Sequence, residues 1–89
     1  MIQANAPLAA LSMDLKRVAL ASYNHSFKVA DRFIQESLAK KNKIDATAQR
    51  SHVRRLLTSL DSVLSQKDTA KRAEDALLYS TLLQNAALK

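Results

Sequence analysis

The absence of glycine is the feature that most restricts what this chain can fold into. Its 89 residues include no glycine, no cysteine and one proline, Pro7. Glycine-rich phosphate loops, dinucleotide-binding turns and nucleophile elbows need residues that tolerate left-handed backbone or close approach to a ligand. Disulfides, zinc fingers and iron–sulfur clusters need cysteine, and two-residue hairpin turns favour Asn-Gly or Gly-X. Apolar residues make up 47% of the chain, so a core can form, and the sequence predicts a small all-α protein.

The first half of the chain carries one apolar stripe with a helical period, and at 100° per residue it spans an arc of about 160°. Its members are Leu8, Leu11, Leu15, Val18, Ala19, Ser22, Val29, Ala30, Phe33 and Ile34. No glycine or proline interrupts the stripe, and three lysines between residues 40 and 43 suit the negative end of a helix dipole. We therefore favour one helix from about residue 7 to about residue 41, with a break near residues 22–25 as the alternative. Residues 1–6 are expected to be frayed.

Two further helices follow, each preceded by an aspartate that predicts an N-cap. Asp45 precedes a helix over about 46–65, and Asp68 precedes one over about 69–87. No segment alternates with period two, so no strand is expected. The predicted fold is a single all-α domain over residues 7–89, a small helical bundle in which the long first helix packs on an antiparallel helical hairpin.

The predicted helix lengths do not match, and this favours self-association. A helix over residues 7–41 is about 50 Å long, whereas the hairpin helices are about 30 Å each. The hairpin then covers only part of the apolar stripe, and an uncovered stripe is an unusual feature of a monomer. We expect a homodimer that shares the long helices, and its candidate self-association face consists of Leu8, Leu11, Leu15 and Val18.

Catalytic and metal-binding constellations are not expected. Neither His25 nor His52 has an acidic residue three or four positions away, so no local pair suits a general base or a metal site. Ser51 and His52 are adjacent and diverge by about 100° on a helix. The sequence therefore predicts a non-enzymatic protein without a cofactor or a metal.

Basic residues are concentrated between positions 40 and 55. This segment contains six Lys or Arg residues and one Asp, a net charge of +5 in a chain of net charge +6. The candidate surface for an anionic partner comprises Lys40, Lys41, Lys43, Arg50, Arg54 and Arg55. Such a surface binds phosphates through salt-dependent contacts, but no stacking platform of aromatic residues accompanies it. A solvated helix face that also complements a helix dipole is the interpretation we favour.

These observations predict a non-enzymatic protein–protein interaction or regulatory module that associates with itself, or with another protein. The alternative is a nucleic-acid-associated protein that binds phosphates through the basic segment. No run of 18 apolar residues is present, so no membrane partner is expected. Residues 1–11 do not resemble a secretory signal, and the cytoplasm is the expected location.

Overall fold

The computed structural model describes residues 5–88, which form a bundle of four α-helices without strands. The helices are α1 (Ala6–Tyr23), α2 (Phe27–Lys43), α3 (Ser51–Leu64) and α4 (Thr69–Ala87). A short 3-10 helix, Ala46–Ala48, precedes α3. The all-α bundle predicted from the sequence is confirmed, and α4 has the predicted bounds. The Asp68 carboxylate accepts a hydrogen bond from the Lys71 N–H at 3.1 Å and caps α4 as expected.

The continuous helix over residues 7–41 is wrong, because the chain reverses between α1 and α2. His25 has a φ of 56°, in the left-handed region that glycine usually occupies after a helix. The His25 N–H donates to the Ser22 carbonyl at 3.1 Å, and the Ser26 N–H donates to the Ala21 carbonyl at 2.8 Å. These two bonds are those of a Schellman motif. The alternative break near residues 22–25 is therefore the one observed, and α1 and α2 form a helical hairpin.

Small residues bring α1 and α4 close together. Along α4 the buried stripe facing α1 includes Ala73, Ala76, Ser80 and Ala87. The Ser80 hydroxyl donates to the Ser12 carbonyl at 2.7 Å, and the Asn5 N–H donates to the Ala87 carbonyl at 2.7 Å. The start of α1 thus lies beside the end of α4, and the two helices are antiparallel.

The segment predicted as one helix over residues 46–65 is divided in two. The Asp45 carboxylate accepts bonds from the Thr47 N–H at 3.0 Å and the Thr47 hydroxyl at 2.6 Å. These bonds, the hydroxyl bond foremost, hold the pKa of Asp45 below its usual value of 3.8. Gln49 and Arg50 are then extended, with ψ values of 158° and 157°. Local side-chain bonding of this kind competes with helix formation, and α3 begins only at Ser51.

The N-terminal end of the bundle also differs from the prediction that residues 1–6 fray. Residues 1–4 lie outside the part of the chain that the structure describes. Asn5 caps α1, because its side-chain oxygen accepts a bond from the Leu8 N–H at 3.3 Å, and Ala6 is the first helical residue.

Candidate interaction surfaces

The predicted self-association face lies in the core of a single chain. Leu8, Leu11, Leu15 and Val18 are each at most 1% exposed. They pack in one apolar cluster with buried residues of the other three helices, which include Ile34, Leu57, Leu60 and Leu83. This assignment of the face is therefore wrong. The reason is the turn at His25, which folds α2 back and leaves α1 covered within its own chain.

A buried carboxylate joins α1 to α2. The side chain of Asp14 is 1% exposed and accepts a bond from the Arg17 guanidinium at 2.9 Å. The Lys40 ammonium group also donates to this carboxylate. Lys40 was predicted to lie in the surface for an anionic partner, but it is paired with Asp14 of the same chain. The fold-back that creates this contact is what sequence periodicity alone does not reveal.

A second lysine of the predicted anionic-partner surface is also in an ion pair. The Lys41 ammonium group donates to the Asp61 carboxylate of α3 at 2.8 Å, and only 19% of the Lys41 side chain is exposed. This pair links the end of α2 to the outer side of α3. Lys41, like Lys40, thus has an acidic partner within the bundle.

The four other cations of the predicted surface do not all converge on one site. Lys43 lines a cleft with Lys40 and Pro7. Arg50 lines another cleft, beside Asn5 at the start of α1. Arg54 and Arg55 are exposed on α3, and none of these four cations is in an ion pair with an acid of residues 5–88. The positive charge is therefore distributed over different clefts and faces.

The two histidines occupy structurally distinct positions. His25 is exposed in the α1–α2 turn, and its ring meets the Phe27 ring edge-on with centroids 5.8 Å apart. His52 is exposed in the first turn of α3. Among residues 5–88, no three His, Asp or Glu side chains are grouped as metal ligands would be.

The most extensive exposed apolar surface of α4 was not identified from the sequence. Leu77 and Leu82 are 38% and 39% exposed, and Leu78 and Leu88 are 53% and 56% exposed. At 100° per residue these leucines share an arc of about 140° that faces away from α1. We call these four residues the α4 leucine face.

The α4 leucine face carries no charge. The Asp, Glu, Lys and Arg residues of α4 all lie between Lys71 and Asp75, and none occurs from Ala76 to Leu88. Between the leucines the exposed positions are Thr81, Gln84 and Asn85. The chain has a net charge of +6, but a surface that packs on the α4 leucine face would contact no charged side chain there.

No known protein family, curated protein sequence or solved structure matches this chain. Within residues 5–88, no helix is both long and apolar enough to cross a bilayer. The surfaces described above are therefore the basis for a proposal of function.

Proposed function

We propose that this chain is a non-enzymatic helical interaction module that associates with itself. The α4 leucine face is the observation that carries the proposal. Exposed apolar residues that occur singly are ordinary, but a contiguous group marks a contact surface. The prediction of a homodimer is retained, with its contact moved from α1 to α4.

The energetics of burial favour contact through this face. Covering apolar surface stabilises an association by roughly 25 cal/mol per Å², and no charged side chain of the face has to be desolvated. The alternative partner for this face is another protein that has a complementary apolar helix. The cytoplasmic location expected from the sequence remains part of the proposal.

Sedimentation equilibrium over about 10 μM to 1 mM, a range suited to a small interface, tests the proposal with a matched pair of variants. Leu78 and Leu20 are 53% and 50% exposed, and each lies inside a long helix. Leu78→Glu places a charge on the α4 leucine face, and Leu20→Glu places the same charge on α1. We expect the wild type to form dimers, Leu78→Glu to raise the dissociation constant at least about tenfold, and Leu20→Glu to change it less than about twofold.

Two results would overturn the proposal. One is a wild type that stays monomeric across the whole concentration range. The other is an equal effect of the two substitutions, because the contact would then not involve the α4 leucine face. Thermal melts of both variants provide the folding control, and we expect exposed substitutions of this kind to change the free energy of unfolding by about 0.5 kcal/mol or less.

Binding of nucleic acid is the second candidate function. It is favoured by Arg54 and Arg55, which are exposed on α3 and are in no ion pair with an acid of residues 5–88. Binding to duplex DNA that weakens steeply with salt, and less steeply in an Arg54→Ala plus Arg55→Ala variant, is the behaviour that would support it. The spread of the basic residues over several clefts is the reason that we prefer the interaction module.

A further inference from the structure

We infer that the partner of the α4 leucine face is a second copy of the chain, docked antiparallel about a two-fold axis near Thr81 and Leu82. This inference rests on the proposed self-association and adds the location and direction of the contact. In this arrangement residues 75–88 of each copy cover the same residues of the other. An interface of this kind is isologous, because both copies contribute the same patch.

The distribution of charge along α4 selects the antiparallel direction. Lys71 and Glu74 are exposed near the start of the helix, and residues 76–88 are uncharged. A parallel pair would set each of these charges beside its own copy, and like charges in contact are unfavourable. An antiparallel pair overlaps mainly the uncharged segments, with Asp75 as the one charged residue at each end of the overlap, and it holds Lys71 and Glu74 of the two helices at opposite ends. The helix dipoles also oppose one another in this arrangement.

Charge also favours a second copy over an acidic partner. The described chain has exposed arginines on α3, whereas the α4 leucine face has no cation that would attract an acidic surface. An acidic partner would therefore be drawn to α3 and not to α4. Two copies of a chain with a net charge of +6 repel one another over most of their surface, and an uncharged face is where they approach with the least repulsion.

The spacing of the leucines makes the face self-complementary. With the axis near Thr81 and Leu82, these residues meet their own copies, and Leu78 lies opposite the turn that contains Asn85. Leu77 lies opposite Ala86, and Leu88 lies at the end of the overlap, which is about 21 Å long for fourteen residues. A standard interface uses roughly 20 to 30 residues a side, so we expect a weak and reversible dimer.

Single-cysteine variants test the direction of the contact, because the chain has no cysteine of its own. A disulfide requires Cα atoms within roughly 7 Å. Thr81→Cys lies near the proposed axis, so we expect it to form a disulfide-linked dimer with itself on mild oxidation. Leu88→Cys lies at the end of the overlap, so we expect it not to link with itself but to link with Glu74→Cys when the two variants are mixed. Arg55→Cys on α3 is the control for random collision.

The outcomes separate this inference from the function on which it rests. Self-linking of Leu88→Cys, or a Thr81→Cys variant that links no faster than Arg55→Cys while sedimentation still reports a dimer, overturns the antiparallel arrangement and leaves self-association standing. A wild type that shows no dimer by sedimentation overturns both. Efficient linking of Thr81→Cys together with the mixed Leu88→Cys and Glu74→Cys product supports the inference.

Discussion

The conformation of the turn between α1 and α2 predicts that glycine is favoured over alanine at position 25. His25 has a φ of 56°, and for a residue with a Cβ atom this conformation costs roughly 1–2 kcal/mol. His25→Gly and His25→Ala both remove the contact between the His25 and Phe27 rings, so their difference isolates the backbone effect. We expect the glycine variant to be more stable than the alanine variant by about 1 kcal/mol, which corresponds to roughly 4–8 °C in Tm for a domain of this size.

The same pair of substitutions at His52 provides the control. His52 lies inside the first turn of α3, where alanine is favoured over glycine by about 0.5–1 kcal/mol. The sign of the difference between glycine and alanine should therefore reverse between positions 25 and 52. Thermal and urea unfolding of the four variants measure it. If alanine is the more stable residue at both positions, the left-handed turn and the fold-back of α2 are refuted.

Two further predictions concern buried polar groups. Asp14→Asn should destabilise the fold by about 2 kcal/mol in urea unfolding, since it removes charge-assisted bonds from Arg17 and Lys40, whereas Asp61→Asn, at a carboxylate that is 64% exposed, should cost less than about 1 kcal/mol. The Ser37 hydroxyl is buried without a hydrogen-bond partner among residues 5–88, so Ser37→Ala should stabilise the fold by about 0.5–1 kcal/mol, and a loss of Tm would contradict this assignment.

Sequence periodicity was sufficient to predict a helix where the local sequence and the tertiary packing favour the same structure. The range of α4 and its Asp68 cap were predicted correctly, because an aspartate followed by a long helix-forming segment specifies both. The face of α3 that carries Leu57, Leu60 and Leu64 at helical spacing is buried. These features depend on residues close together in the chain, and a single sequence contains that information.

One unrecognised turn accounts for most of what was mispredicted. Where a helix ends with a left-handed residue, that residue is usually glycine, and a chain without glycine therefore gave no stop signal at His25. In a continuous helix, Leu8 and Leu11 would be covered only by a second chain. Asp14 and Lys40 would be too far apart to form an ion pair. Once α2 folds back, all of these contacts form within one chain. The candidate self-association face and part of the basic surface thus failed for the same physical reason.

The α4 leucine face was missed for a different reason, which also bears on function. Hydrophobicity favours burial of Leu77 and Leu82, but α4 instead packs against α1 through the small residues Ala73, Ala76 and Ser80. Small side chains allow two helix backbones to approach closely, and this close approach turns the leucines outward. The opposite stripe of α4 already packs against α1, so the four partly exposed leucines add little to the stability of the bundle. Polar residues at the same positions would make the chain more soluble. The self-association that we propose through α4 would give these leucines a role that they lack in the single chain.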